Sequence, residues 1–177
     1  TGNRNYAFAY QTAGDSNTSY QEQSGDENTA TVNQAASKSF ATQIQTGAST
    51  MATITQLEGH NHRAYQEQSG SGGEATITQF AGKDNVANQI QTGIDGNALI
   101  EQRGNGNAAN QNQNGLLGEM EAYQRGMGNS AYQEQGAATG SEFALVDQHG
   151  QTNMSNQVQM GINNSSSVYQ NGTGNVS

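Results

Sequence analysis

Cysteine, proline and tryptophan are all missing from this chain of 177 residues. Without cysteine, disulfides and thiolate metal sites are excluded and the redox compartment is not legible. Without proline, one common device for blunting a sheet edge is absent, and a disordered segment would ordinarily be enriched in it. Cations are scarce too. Six Lys and Arg against fifteen Asp and Glu leave a net charge of −9, so nucleic acid is not an expected partner. No run approaches the roughly 18 apolar residues of a membrane helix, so no membrane insertion is expected. No signal peptide is visible, which reads as a cytosolic chain or one given in mature form. Only 31% of residues are apolar and many of those are Ala, which argues against an ordinary globular core.

What is abundant is Gly, Asn, Gln and Ser, a composition suited to disorder or to β-aggregation. The Ile, Val, Tyr, Phe and Thr that do occur are spread evenly, and a repeat explains the spread. Anchor glutamines recur at Gln11, Gln23, Gln34, Gln45, Gln56, Gln68, Gln79, Gln91, Gln102, Gln113, Gln124, Gln135, Gln148, Gln159 and Gln170, spaced 11 to 13 residues apart. Four residues before each anchor Ala or Ser is expected in every unit. Two after it stands Gly or Ala, Glu58 being the exception. The residue two before the anchor alternates between units. First-type units carry Ala9, Val32, Ile54, Ile77, Ile100, Ala122, Val146 and Val168; second-type units carry Gln21, Gln43, Gln66, Gln89, Gln111, Gln133 and Gln157. Of 23 glutamines, only Gln151 falls outside these places.

Each unit reads as one strand and one turn, since period-2 alternation over about seven residues is followed by a Gly/Asn/Asp/Ser cluster. Alternate side chains point to opposite faces. One face repeats a monotonous, uncharged set; the other is varied and holds Glu22, Glu67, Glu74, Glu101, Glu119, Glu121, Glu134 and Asp147. The uncharged face is therefore the inside. The expected fold is all-β: a single domain spanning 1–177, a β-solenoid of about seven and a half two-strand coils forming two stacked sheets. Coils would rise about 4.8 Å each, with the sheets about 10 Å apart.

Buried amides must be satisfied, because an unpaired one costs about 1–3 kcal/mol. Stacking Gln on Gln along the axis would do so. The expected core ladder comprises Gln21, Gln23, Gln43, Gln45, Gln66, Gln68, Gln89, Gln91, Gln111, Gln113, Gln133, Gln135, Gln157 and Gln159, with Ile54, Ile77 and Ile100 among them. The expected turn residues are Asn107, Asn129, Gly104 and Gly126. Asn six before the anchor (Asn17, Asn28, Asn85, Asn107, Asn129, Asn153, Asn164) would ladder likewise or supply a left-handed turn residue. The outward place just before the second-type anchor runs Glu22, Ile44, Glu67, Ile90, Asn112, Glu134, Val158, so no two acids stack on adjacent coils.

Gln102-Arg-Gly104-Asn-Gly106-Asn107-Ala-Ala109-Asn-Gln-Asn-Gln113 and Gln124-Arg-Gly126-Met-Gly128-Asn129-Ser-Ala131-Tyr-Gln-Glu-Gln135 match the pattern Q-x-G-x-G-N-x-A-x-x-x-Q. This pattern resembles the curlin repeat of the major curli fibre subunits, and looser copies cover essentially the whole chain. Two places differ. Curlin first-type strands usually open with Ser six before the anchor, and curlin second-type strands usually carry a small or apolar residue where this chain has Gln. The resemblance implies a secreted, extracellular functional amyloid of biofilm matrix and adhesion, cross-β when polymerised. Its implied partners are its own copies, a minor nucleator subunit and an outer-membrane secretion pore. Sparse Lys and Arg in the last repeats fit a major subunit rather than a nucleator.

Natural monomeric solenoids need end caps, and none is read here, so head-to-tail pairing of open ends is the expectation. Asn175-Val-Ser177 has the spacing of a truncated second-type unit. The rival reading is a monomeric secreted β-solenoid binding ice or a carbohydrate surface, through Thr29/Thr31, Thr53/Thr55 and Thr76/Thr78 stacked on successive coils. "HNH" at His60–His62 lacks a third metal ligand in reach, and no cofactor or metal is expected. No Ser–His–acid set or carboxylate pair supports catalysis, so no enzyme activity is expected.

Overall fold

The computed structural model describes residues 1–136 and 140–177. Among these there is no helix. Fifteen strands follow one another: β1 (Tyr6–Gln11), β2 (Thr18–Gln23), β3 (Thr29–Gln34), β4 (Phe40–Gln45), β5 (Met51–Leu57), β6 (Arg63–Gln68), β7 (Glu74–Phe80) and β8 (Val86–Gln91). They continue with β9 (Asn97–Asn105), β10 (Ala108–Gln113), β11 (Glu119–Met127), β12 (Ser130–Gln135), β13 (Phe143–Gln151), β14 (Met154–Gln159) and β15 (Ser165–Thr173). Odd strands form an eight-stranded parallel sheet in chain order; even strands form a seven-stranded one. Every coil therefore contributes one strand to each sheet, and the two sheets stack as a β-solenoid.

Register is uniform, anchor on anchor: Gln11 pairs with Gln34, Gln34 with Gln56, and Gln102 with Gln124. A slip of one residue would turn the uncharged face outward, so burial fixes the register. Val32, Ile54, Ile77, Ile100, Ala122 and Val146 form a fully buried column, packed against Ala41, Ala64, Ala87, Ala109 and Ala131 of the second sheet.

One strand departs from the small-residue rule. In β11 the place four before the anchor holds Met120, wholly buried and aligned with Ala98 and Ala144. The same strand carries Ala122 where its neighbours carry Ile100 and Val146. The bulk has moved along the strand by two places, conserving core volume, which cores tolerate.

The turns use the left-handed backbone region often. Arg4, Ser16, Glu27, Lys38, Ser49, Asp84, Asp95, Leu117, Thr152 and Asn163 all have φ between 52° and 60°. Such residues cost of order 1 kcal/mol each where the surroundings over-determine them. The asparagines six before the anchor do not supply this conformation. It falls one residue earlier, on Glu27 before Asn28 and Asp84 before Asn85, because the Asn side chain is engaged elsewhere.

Candidate functional site

The feature that every coil repeats is the hydrogen-bonded interior. Three glutamine ladders run the length of the solenoid. In the first sheet Gln11, Gln34, Gln56, Gln79, Gln102, Gln124, Gln148 and Gln170 are joined Nε2 to Oε1 at 2.7–2.9 Å. In the second sheet the anchors Gln23, Gln45, Gln68, Gln91, Gln113, Gln135 and Gln159 are joined at 2.7–3.2 Å. The third ladder links Gln21, Gln43, Gln66, Gln89, Gln111, Gln133 and Gln157 at 2.8–3.0 Å. From Gln34 onward these side chains are buried; Gln21 and Gln23 are half-buried and Gln11 is exposed.

The second proton of each amide crosses the core. Gln43 Nε2 donates to Thr31 O, Gln66 Nε2 to Thr53 O and Gln89 Nε2 to Thr76 O, all at 3.0 Å. Gln111, Gln133 and Gln157 continue the series to Leu99 O, Glu121 O and Leu145 O. This explains why second-type strands carry Gln where first-type strands carry Ile or Val. The amide satisfies itself along the axis and also ties one sheet to the other, so both donors and the acceptor are used. Axial stacking follows from sequence periodicity; the cross-core bond does not.

The turn residues form columns too. Asn107 N donates to Asn85 Oδ1, Asn129 N to Asn107 Oδ1 and Asn153 N to Asn129 Oδ1 at 3.0–3.1 Å. The Asn107 and Asn129 amides also donate to the backbone oxygens Gly126 O and Gly150 O of the next coil. Asn175 ends this column, through Asn175 N to Asn153 Oδ1, and Asn17 lies at its other end, accepting from Ser39 N; Asn5 begins a second column at the opposite edge, accepting from Asn28 N. Gly104 and Gly126 sit at the ends of β9 and β11, in register with each other rather than inside the turn. Both have left-handed φ, 112° and 127°. A Cβ on either would overlap the carbonyl oxygen of the next coil's glycine.

Outside, the three Tyr-Gln-Glu-Gln copies show a bond that periodicity did not suggest. Tyr20, Tyr65 and Tyr132 each donate their hydroxyl to the carboxylate two residues on, Glu22, Glu67 and Glu134, at 2.6–2.7 Å. Burial, then the hydrogen bond and charge of Glu67, push Tyr65 up to about 12. The bonded carboxylate comes first in raising Tyr20 and Tyr132. Register keeps the acids apart as expected: Glu22, Ile44, Glu67, Ile90, Asn112, Glu134 and Val158 are successive partners.

The threonines stack less fully than their spacing suggests. Thr31, Thr53 and Thr76 form one column and Thr55 and Thr78 another, but Thr29 aligns with Met51. Leu99 and Glu101 end both columns. Of the "HNH" histidines, His60 is exposed while His62 is wholly buried in the asparagine column, its Nε2 3.1 Å from Glu58 O. Among the described residues no group of three His, Cys, Asp or Glu could hold a metal ion.

The two ends of the stack differ in hydrogen-bonding sense. At the β1 and β2 end, no donor among the described residues reaches the Oε1 of Gln11, Gln21 or Gln23. At the β14 and β15 end, Gln159 Nε2 donates only to Phe143 O among the described residues, leaving its axial proton free. Val176 pairs with Met154, and Ser177 O accepts from Asn156 N, so residues 175–177 lie against β14 in the second sheet. Comparison with models of known families and with curated proteins finds no match for this chain.

Proposed function

We propose that the chain is a structural subunit of an extracellular curli-like amyloid fibre, assembling head to tail in biofilm matrix and adhesion. The observation that carries this reading is the uniform sense of the internal ladders: each amide donates to the next coil and accepts from the one before, in constant register, so the stack is extended by any further coil. Carbonyl oxygens of Gln11, Gln21 and Gln23 face out at one end, and an amide proton of Gln159 faces out at the other. A second copy stacked on the axis brings an acceptor to the Gln159 proton, and continues the other two ladders once Gln157 and Gln170 exchange Ser166 Oγ and Ser177 Oγ for it.

Burial supports the same reading. Ala7, Ala9 and Gln11 on the inner face of β1 are exposed, whereas Ala30, Val32 and Gln34 one coil inward are at most 1% exposed. One further coil would cover them. Each added coil buries apolar surface at about 25 cal/mol per Å2 and completes three amide ladders. The curlin-like repeats Gln102–Gln113 and Gln124–Gln135 supply the functional context, including secretion through a pore and a nucleating partner.

X-ray diffraction from an aligned sample aged at neutral pH tests the reading. Reflections near 4.7–4.8 Å along the axis and near 10 Å across it are expected. A clear, monomeric solution with strand-rich circular dichroism would overturn it.

A further inference from the structure

The cations of this chain are few and they are sorted. Call the edge where the chain passes from the first sheet to the second the crossing edge. Lys38 and Lys83 lie in its turns, Arg63 opens β6 beside it, and Arg103 and Arg125 stand near the ends of β9 and β11, which lead into it. Five of six cations therefore line one edge; only Arg4 lies at the opposite one, where it is paired with Glu27 at 2.7 Å. Acids lie at both edges, Asp15, Glu58 and Asp84 at the crossing edge and Asp26, Asp95 and Glu142 at the other, so it is the cations alone that are sorted.

Within the strands the chain keeps like charges out of adjacent register. Glu74 faces Met51 and Asn97, Glu101 faces Thr78 and Tyr123, and Glu121 faces Leu99 and Leu145. Arg103 and Arg125 break that rule. They are direct register partners, outward and exposed, with His149 next in the same row. Neither arginine has a carboxylate within salt-bridge distance among the described residues. On neighbouring strands whose backbones lie about 4.8 Å apart, two like charges in register repel each other. A local rule broken with no carboxylate to offset the charge is a place to look for a ligand.

The surroundings fit a ligand. Arg103 stacks over the Phe80 ring at 5.2 Å, which holds its stem in place. A cleft of about 230 Å3 is lined by Arg103, Arg125, His149, Tyr123, Glu101 and Asp147. Asp147 Oδ1 lies 3.0 Å from His149 Nε2. We propose that the Arg103–Arg125 pair, with Tyr123 and His149, binds a linear acidic polysaccharide lying along the solenoid axis. Neighbouring Glu101 and Asp147, in a chain of net charge −9, disfavour a densely charged polymer such as duplex DNA, which carries one charge per ~1.7 Å, and single-stranded DNA offers phosphates without the run of sugar hydroxyls. A polyuronate, with about one carboxylate per sugar, can meet the two arginines and leave hydroxyls opposite Glu101. Tyr123 offers a ring for a sugar's apolar face. This site does not depend on polymerisation.

Titration calorimetry of the freshly dissolved chain with polygalacturonate tests the proposal, with strand content followed by circular dichroism. Replacing both arginines (R103Q/R125Q) should weaken binding about tenfold and flatten its salt dependence. The single changes R103Q and R125Q should each weaken it about threefold, which keeps the test open if the double variant misfolds. Arg4→Gln, at the other edge, should leave it unchanged. Equal affinity in the arginine variants, no binding by the parent chain, or tighter binding of single-stranded DNA at the same arginines would each overturn the proposal.

Discussion

Gln89 accepts from Gln66 and donates to Gln111, both at 2.9 Å, while its second proton reaches Thr76 O at 3.0 Å across the core. Three partners depend on one amide that is 1% exposed. Gln89→Leu fills the same space but strands the Gln66 proton and the Gln111 carbonyl. A loss of about 2–6 kcal/mol is expected in urea unfolding, from two orphaned groups at about 1–3 kcal/mol each. A loss below about 1 kcal/mol would mean that the ladder carries little of the stability.

Tyr65 and Glu67 form a 2.6 Å bond along β6. Because Tyr65 is raised above its ordinary value of 10.0, its contribution to stability is fully present below pH 10 and is lost as pH rises towards 12. Ultraviolet titration should find one tyrosine ionising near 12. Glu67→Gln should lower that value only in part, since burial is the larger cause. A Tyr65→Phe, Glu67→Gln double-mutant cycle should give a coupling of about 0.5–1 kcal/mol, modest because the pair lies at the surface.

The solenoid was legible because strand burial has a strict period of two and the inner face tolerates no charge. A repeated Gln at those places can only be inside. The partner across the core was not legible, since periodicity relates a residue to its counterpart one coil away and says nothing of the facing strand. Met120 is visible in the sequence as a break in the small-residue place, but its compensation by Ala122, two residues along, needed the packing, since no single-position pattern reports a shared volume. The left-handed turn positions escaped too, because residues as different as Lys38 and Leu117 occupy them. The arginine pair was visible as sequence, but its meaning needed the register that sets Arg103 beside Arg125.

His62 occupies the asparagine column below Asn85 with its Nδ1 unpaired and buried. Burial lowers its pKa below the ordinary 6.5, against the opposing pull of Glu58 O and Asp84. A lowered base stabilises the fold above pH 6.5 and loses that contribution as pH falls through the folded-state value. Melting temperature should therefore drop on acidification more in the parent than in His62→Asn. The variant can also offer Oδ1 to the Asn85 N–H, as Asn85 does for Asn107, which is worth about 1 kcal/mol or roughly 2–4 °C. Parallel pH profiles for the two proteins would rule out His62 as the acid-sensitive group.

Gly104 and Gly106 lie two residues apart, both with positive φ, and they separate two costs. At Gly106 a Cβ would meet nothing within 4 Å, so Gly106→Ala pays only for the left-handed backbone, about 1–2 kcal/mol. At Gly104 a Cβ would overlap the backbone oxygen of Gly126, which is itself fixed by the next coil. Gly104→Ala must then push two coils apart and break part of the Gln102–Gln124 rung, joined at 2.8 Å. Its cost should exceed that of Gly106→Ala by about 2 kcal/mol or more in urea unfolding. Hydrogen exchange should show the excess loss of protection in β9 and β11 rather than throughout the stack, because each coil contacts only its neighbours. Equal costs for the two substitutions would mean that the glycine column is held by backbone conformation alone and not by the close approach of the coils.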